Sequence, residues 1–160
     1  MSAVGISAVD PGSRAAREAA HQYFAELAAT FPEGFDPGPD DVEPFRPPGG
    51  ALLLALSRDD VLGCVGVRTL QPGTAEVKRL WVREDARGSG LGRRLLQAAE
   101  ESAARTGATL LRLDTHASLA AARRLYDRSG YREVPAYNDN PYAALWFEKT
   151  IRAAEVGRPS

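Results

Sequence analysis

The stretch Arg87-Gly88-Ser89-Gly90-Leu91-Gly92-Arg93 is the most informative part of this chain. It follows a strand-like run at residues 77–82 and precedes a helix-like segment from about residue 91 to residue 106. Glycines at alternate positions remove the Cβ atoms that would keep a ligand away from the backbone. A helix start adds unpaired N–H groups and the positive end of the helix dipole, and both attract anions. Together with the charges of Arg87, Arg93 and Arg94, the turn favours a polyphosphate ligand.

The spacing of the glycines excludes two common phosphate motifs. A Walker loop requires G-x-x-x-x-G-K-[ST], and no lysine followed by serine or threonine closes this turn. A dinucleotide-binding fingerprint requires G-x-G-x-x-G, but counting from Gly88 leads through Gly90 to Arg93 instead of a third glycine. Taken alone, the turn is also compatible with a flexible connection between a strand and a helix.

The composition limits the classes of protein to which the chain can belong. Its 160 residues, 44% of them hydrophobic, are enough for one globular domain with a buried core. The formal net charge of −1 gives no electrostatic support for nucleic-acid binding. Cys64 is the single cysteine, which excludes a disulfide framework, and its apolar neighbours indicate a core residue. No export signal or long apolar run is found, so we expect a cytoplasmic protein without membrane association.

Hydrophobic periodicity and turn residues predict alternating strands and helices. The predicted strands lie at residues 4–9, 51–57, 61–70, 75–82, 109–114, 131–134 and 143–149. The predicted helices lie at residues 13–30, 91–106 and 118–129. Short turns make the three middle strands an antiparallel meander, and a crossover helix makes the fifth strand parallel to the fourth. A proline-rich loop at residues 32–50, with one helical turn near residues 40–45, is long enough to suggest a function.

The order of elements and four motifs together resemble the GNAT superfamily of acyl-coenzyme A-dependent N-acyltransferases. Arg87, Gly90 and Gly92 match the family's phosphate motif Q/R-x-x-G-x-G/A. The preceding strand ends in Leu80-Trp81-Val82, in place of the family's apolar-small-Val. The run Ala122-Arg123-Arg124-Leu125-Tyr126 followed by Ser129-Gly130-Tyr131 resembles A-x-x-L-Y-x-x-x-G-F, and Trp146-Phe147-Glu148-Lys149 resembles the F-x-K ending. The resemblance extends over residues 4–151.

The resemblance implies an α/β (α+β) chain with the GNAT acyl-CoA N-acyltransferase fold. In that fold a mixed, mostly antiparallel central sheet of six to seven strands has helices on both faces. A single N-acetyltransferase domain is expected over residues 1–152, with a C-terminal tail over 153–160. The implied activity is transfer of an acetyl group from acetyl-CoA, a co-substrate, to a primary amine by direct attack and without a metal. A non-catalytic acyl-CoA sensor, a longer acyl chain and a different phosphate ligand stay open as alternatives.

The resemblance also implies where the coenzyme lies. Its pyrophosphate is expected on the glycine-rich turn, and its pantetheine arm alongside the backbone of Leu80 and Val82, as an added strand. The expected coenzyme-binding residues are Leu80, Trp81, Val82, Arg87, Gly88, Ser89, Gly90, Leu91, Gly92 and Arg93. One departure from the family pattern is Leu119, where members often have an asparagine that helps to hold the coenzyme.

Two residues match catalytic positions of the family. Glu76 lies on the strand before the turn, where several members place a general base, and it shares a face with Leu80 and Val82 if no bulge intervenes. Tyr126 matches a tyrosine suited to donate a hydrogen bond or a proton to the departing sulfur. A cross-strand ion pair for Glu76 and a core position for Tyr126 remain alternatives. His116 or a chain of waters can replace Glu76 as the base.

Two segments suggest the nature of the acceptor, which by the resemblance is a small-molecule or peptide amine. In this superfamily the segment after the first helix and the final loop wall the acceptor side. The first segment carries Glu33, Asp36, Asp40, Asp41 and Glu43, and the second is Tyr137-Asn138-Asp139-Asn140-Pro141-Tyr142. If these carboxylates converge on the cleft they favour a cationic acceptor, and otherwise they form a solvated loop. The identity of the acceptor and the oligomeric state do not follow from the sequence, and a homodimer is left open.

Overall fold

A computed structural model of the chain describes residues 3–31, 34–36, 41–116 and 120–153. The strands are β1 Gly5–Val9, β2 Gly50–Ser57, β3 Asp60–Gln71, β4 Thr74–Val82, β5 Leu110–Thr115, β6 Arg132–Val134 and β7 Leu145–Thr150. The helices are α1 Arg14–Thr30, α2 Leu91–Arg105 and α3 Ala120–Arg128, with short 3₁₀ turns at Glu43–Phe45 and Glu84–Ala86. Every predicted strand and helix is present with small shifts at its ends. The predicted start of α3 and nearly all of the predicted tail lie outside the described residues.

The strands form one sheet in the order β1-β2-β3-β4-β5-β7-β6. Within the described residues only β4 and β5 run parallel, and every other neighbouring pair is antiparallel. The parallel pair arises because α2 crosses over between the two strands. The mixed, mostly antiparallel sheet of the predicted fold is therefore confirmed.

Helices α1 and α2 cover opposite faces of this sheet. The apolar stripe of α2, centred on Leu95 and Ala99, packs on one face together with Tyr126 of α3. Ala16 and Ala19 of α1 pack on the other face. Cys64 lies in this second cluster, is 2% exposed and donates from Sγ to the Arg79 carbonyl at 3.2 Å. The prediction that Cys64 is a core residue is confirmed.

A β-bulge interrupts β4 where it passes β3. Gly66 pairs with Lys78, whereas Cys64 pairs with Trp81, so β4 contains one extra residue over this stretch. Arg79, in the extra length, has a φ of 58°, which lies in the left-handed region that non-glycine residues rarely adopt. An extra residue reverses the alternation of side chains along the strand that follows it.

Because of the bulge, Glu76 does not share a face of the sheet with Leu80 and Val82, as it would on an uninterrupted strand. Beyond the bulge, Leu80 and Val82 pack on the α2 side of the sheet, whereas Trp81 packs beneath α1. Ahead of the bulge, Val77 belongs to the α2 side, so its neighbour Glu76 points to the α1 side. The expectation required an uninterrupted strand, and β4 is not one.

Strands β4 and β5 separate after a short paired region. Their pairing covers only Thr74 to Glu76 of β4 and Leu110 to Arg112 of β5. Both strands continue, β4 to Val82 and β5 to Thr115. Residues 77–82 therefore present an unpaired strand edge towards the gap between the two strands.

Candidate functional site

The gap between β4 and β5 opens into a cavity of about 550 Å³. This volume lies within the range of small-molecule sites. Its lining comes from α1 and the segment after it, the bulged part of β4, the end of β5, α3 and the loop between β6 and β7. Among the lining residues are Tyr23, Phe24, Phe31, Phe35, Asp36, Lys78, Arg79, Leu80, Asp114, His116, Tyr126 and Tyr142.

The glycine-rich turn follows the unpaired edge of β4. Gly88 and Gly90 have φ values of 81° and 83°, which favour glycine. A Cβ added at either position would meet nothing within 4 Å, so both positions face open space. Within the described residues, the amides of Gly88, Ser89 and Gly90 donate no backbone hydrogen bond. Free amides at the start of α2 fit a pyrophosphate.

Contacts of Ser89, Leu91 and Gly92 hold the turn against the rest of the fold. A Cβ on Gly92 would lie 3.3 Å from Leu125 Cδ2, so this glycine allows α2 and α3 to pack closely. Ser89 Oγ donates to the Ala86 carbonyl at 2.6 Å, and the Leu91 side chain is buried in the core. The missing Cβ of Gly92 thus serves helix packing, and a contact of Gly92 with the coenzyme stays a prediction.

The arginines of the turn have different surroundings. Arg87 Nε donates to the Val82 carbonyl at 2.9 Å, and its guanidinium pairs with Glu26 of α1. Arg94 donates to the Val4 carbonyl at 2.8 Å. Arg93 is exposed at the start of α2. Arg93 is therefore the best placed of the three to meet a phosphate, while Arg87 connects the turn to α1.

The residues of β4 expected beside the pantetheine arm contribute in different ways. Leu80 lines the cavity. Val82 packs towards α2, and the Trp81 side chain is 7% exposed beneath α1, where its Nε1 donates to Glu26. The main-chain groups of Leu80 and Val82 face the unpaired edge, where the Val82 carbonyl accepts from Arg87, whereas Trp81 pairs with Cys64 of β3. A contact of Leu80 or Val82 with the coenzyme there would be through main-chain groups.

Tyr126 lies on α3 in the wall of the cavity and is 5% exposed. Its ring packs against Tyr131 and Phe147, with centroid distances of 5.9 and 5.7 Å. Burial raises the pKa of its hydroxyl, and the nearby Asp114 carboxylate raises it further. The hydroxyl therefore stays protonated and keeps a proton that it can donate in a hydrogen bond. The ring is part of the core and also borders the cavity.

Glu76 is fully buried and is not among the residues that line the cavity. Its carboxylate accepts a hydrogen bond from Arg68 Nε at 2.9 Å and one from the Tyr137 hydroxyl at 2.7 Å. Lys78 Nζ lies 3.6 Å away. The cross-strand ion pair is thus present, and the role of Glu76 as a base stays a prediction.

A polar network that the sequence analysis missed connects Asp114 to the loop between β6 and β7. Asp114 accepts from Asn138 Nδ2 at 2.7 Å, from Asn140 Nδ2 at 3.2 Å and from Lys78 Nζ at 3.2 Å. With the Tyr137 bond described above, these contacts hold the loop against the sheet. The polar run at residues 137–140 was a signal of a functional loop, but its partner on β5 is not encoded locally.

Aromatic rings form a large part of the cavity wall. We define this aromatic cluster as Tyr23, Phe24, Phe31, Phe35, His116 and Tyr142, all of which line the cavity. The ring centroids of Phe31 and His116 are 4.4 Å apart, and those of Phe35 and Tyr142 are 4.7 Å apart. His116, an alternative base, therefore reaches the cavity from the end of β5.

The acidic residues expected around the acceptor are only partly at the cavity. Asp36 belongs to the lining, whereas Asp41, Glu43 and Asp139 do not. Glu43 instead pairs with Arg46 at 2.9 Å. The remaining two, Glu33 and Asp40, lie outside the described residues, as does Leu119.

Two kinds of feature are absent from the described ranges. No group of three or more His, Cys, Asp or Glu side chains there is arranged to hold a metal ion. None of the helices there combines the length and the apolar character needed to cross a bilayer. Neither finding identifies a compartment, so the cytoplasmic location stays a prediction.

Known proteins resemble this chain in sequence and in fold. The model of the acetyltransferase (GNAT) family matches residues 20–131. An uncharacterized N-acetyltransferase of Schizosaccharomyces pombe is 34% identical over 126 residues, which cover 75% of this chain and 76% of the relative. An IAA acetyltransferase of Azospirillum brasilense is 33% identical over 115 residues, covering 69% and 74%. A GNAT family acetyltransferase from Elizabethkingia anophelis, solved with acetyl-CoA bound, shares the fold with a TM-score of 0.67. The two chains are 19% identical, and the match covers 92% of this chain and 98% of that one.

Proposed function

We propose, since the chain belongs to the GNAT family of acetyltransferases, that it moves an acetyl group from acetyl-CoA to a primary amine of a small molecule or peptide. Proteins of this family are acyltransferases, and a solved protein with this fold binds acetyl-CoA. The observation that carries the proposal is the unpaired edge of β4, which leads from the cavity to the glycine-rich turn. An extended chain with amide groups can pair with such an edge.

The residues of the turn and of β4 fit the coenzyme. Acetyl-CoA supplies the acetyl group in activated form, as a thioester. The free amides of residues 88–90 and the N-terminus of α2 suit its pyrophosphate, and exposed Arg93 adds a full positive charge. The main chain at Leu80 and Val82 suits the amides of the pantetheine arm.

Tyr126 is proposed to donate a hydrogen bond to the departing sulfur. A free alkyl thiol has a pKa of about 8.5, whereas burial raises the pKa of Tyr126 above the usual tyrosine value. Complete proton transfer from Tyr126 to a thiolate is therefore uphill. A hydrogen bond from the hydroxyl stabilises the developing negative charge without ionising the tyrosine.

The proton of the attacking amine needs an acceptor. His116 lines the cavity, and imidazole is the side chain most often used as a general base. Glu76 is enclosed by Arg68, Tyr137 and Lys78 and reaches an amine only through an intervening group. We therefore place His116, or water beside it, ahead of Glu76 as the base.

Release of the coenzyme A thiol from acetyl-CoA across a panel of amines tests the proposal. We expect release that depends on an amine and yields the acetylated amine by mass spectrometry. Binding of acetyl-CoA by calorimetry without release for any amine would contradict acetyl transfer and favour the sensor alternative. Faster release from a longer acyl-CoA than from acetyl-CoA would replace the proposed donor.

A preference for cationic acceptors is a finer proposal that rests on Asp36. Asp36 is the one among the described acidic loop residues that belongs to the cavity lining. Steering by a carboxylate weakens as salt rises, so the KM of a cationic amine should rise with salt while that of a neutral amine does not. Asp36→Asn should remove this difference, and Asp139→Asn, at an exposed position outside the lining, is the matched control.

A further inference from the structure

We infer that the acceptor carries its amine on an aromatic ring system, as an arylalkylamine does, and that the aromatic cluster binds this ring. The inference rests on the proposed acetyl transfer and names the class of acceptor. It differs from the cationic preference above because it concerns the shape and chemistry of the group that bears the amine.

The first support is the convergence of rings from separate parts of the chain. Phe31 ends α1, Phe35 lies in the segment after it, His116 follows β5 and Tyr142 belongs to the loop between β6 and β7. The centroid of Phe31 lies 5.4 Å from those of both Phe35 and Tyr142. These spacings are the ones at which aromatic rings attract each other. A flat aromatic ligand extends such a cluster with the same geometry.

The second support is the placement of the charges in the lining. Among the described residues of the lining, Lys78 and Arg79 supply positive charges, and Asp36 and Asp114 supply negative ones. Asp114 already accepts from Lys78 Nζ. The Arg79 guanidinium lies 5.1 Å from the centre of the Phe24 ring, on the aromatic wall itself. The aromatic wall therefore already packs a planar group against one of its rings, and an aromatic ring on the acceptor would make the same kind of contact.

The third support is that Tyr142 is held in place. Its hydroxyl oxygen accepts from the Asp36 amide at 3.0 Å, and its own amide donates to Asn140 Oδ1 at 3.0 Å. A ring fixed in this way is ready for stacking and loses little freedom when a ligand binds. Tyr142 also allows a matched pair of variants, because Tyr142→Phe removes only the hydroxyl and Tyr142→Leu removes the ring.

The experiment compares phenethylamine, cyclohexylethylamine and putrescine as acceptors at saturating acetyl-CoA. The first two differ in aromaticity at nearly equal size, and the third tests a second charge. We expect kcat/KM for phenethylamine to exceed the other two at least about 10-fold. Tyr142→Leu should lower kcat/KM for phenethylamine about 10-fold and for cyclohexylethylamine less than about 3-fold. Tyr142→Phe keeps the ring and loses only the hydroxyl contact with Asp36, so it should lower kcat/KM for phenethylamine less than Tyr142→Leu does.

Equal or better use of cyclohexylethylamine or putrescine would overturn the inference and leave amine acetylation intact. Acetyl-CoA binding by calorimetry with no release for any amine would overturn both the inference and the proposed function. If Tyr142→Leu does not fold, as judged by circular dichroism, Phe35→Leu removes another ring of the same cluster. The comparison of the three amines with the unsubstituted protein decides the question in either case.

Discussion

Replacing Glu76 with glutamine separates a structural role of this carboxylate from a catalytic one. The two side chains have nearly the same shape, and a glutamine oxygen can still accept the bond from the Tyr137 hydroxyl. What is lost is the negative charge that faces Arg68 and Lys78. The substitution therefore removes an ion pair while disturbing the packing very little.

The structure sets the size of the expected effect. Breaking a buried ion pair by removing one partner costs about 3–5 kcal/mol, and a hydrogen bond to a charged group contributes about 1.5–3 kcal/mol. The Glu76 side chain is fully buried, but that of Arg68 is 36% exposed, and Lys78 keeps Asp114 at 3.2 Å. Both cations therefore retain water or a partner. We expect the free energy of unfolding to fall by about 2 kcal/mol, below the range for a fully buried pair.

Urea unfolding near neutral pH measures this free energy, and steady-state kinetics on the same preparation measure kcat and KM. If Glu76 is structural, kcat of the folded variant should fall less than about 10-fold and its pH profile should keep its shape. Glu133→Gln is the matched control, because Glu133 lies on β6 with a side chain that is 53% exposed. This control should leave the urea midpoint unchanged.

The opposite pattern would refute the reasoning. A fall in kcat of about 1000-fold or more, with the free energy of unfolding unchanged, would restore Glu76 as the general base. Loss of the acidic limb of the kcat/KM profile in the same variant would support that assignment independently.

Three other predictions follow from the site and the core. Gly90→Glu puts a charged side chain into the open space of the turn, so the affinity for coenzyme A by calorimetry should fall at least about 100-fold. Gly90→Ala is the control for backbone strain, and its loss of affinity should be smaller. Unchanged affinity in a folded Gly90→Glu variant would place the phosphates elsewhere. Tyr126→Phe should lower kcat about 10- to 1000-fold and leave coenzyme affinity and Tm nearly unchanged, whereas full turnover would return Tyr126 to the core. Burial raises the pKa of Cys64 from 9.0 to about 12, so at pH 8 only about 10⁻⁴ of the thiol is ionised and a thiol reagent should label it only after unfolding. Since the folded thiol keeps its proton to higher pH than the unfolded one, stability should fall as the pH rises from about 9 towards 12, and Cys64→Ala should lessen this fall.

The elements of the fold were predictable because each depends on neighbouring residues. The helical spacing of Leu91, Leu95 and Ala99 locates α2, and Gly107, with a φ of 91°, lies just beyond its end. The parallel pairing of β4 with β5 follows from the helix between them. For the same reason the glycine-rich turn could be located from a few adjacent residues.

The contacts that complete the site could not be predicted in this way. Arg87 is separated from Glu26 by 61 positions, and Asn138 from Asp114 by 24. Each partner is an ordinary charged or polar residue of its own helix, strand or loop. Nothing local distinguishes it from residues that face solvent, so such pairs emerge only when the sheet brings them together.

The bulge at Arg79 had no sequence signal either, because a non-glycine residue occupies the left-handed region there. The bulge nevertheless shapes the candidate site. It turns Leu80 and Val82 to the α2 side of the sheet, at the edge that β5 leaves unpaired. Glu76 is the last residue of β4 paired with β5, so its buried ion pair lies at the apex of the gap. We expect a carboxylate at that position to affect the reaction through the width of the gap. Its removal should therefore change stability and the KM for the coenzyme before it changes kcat.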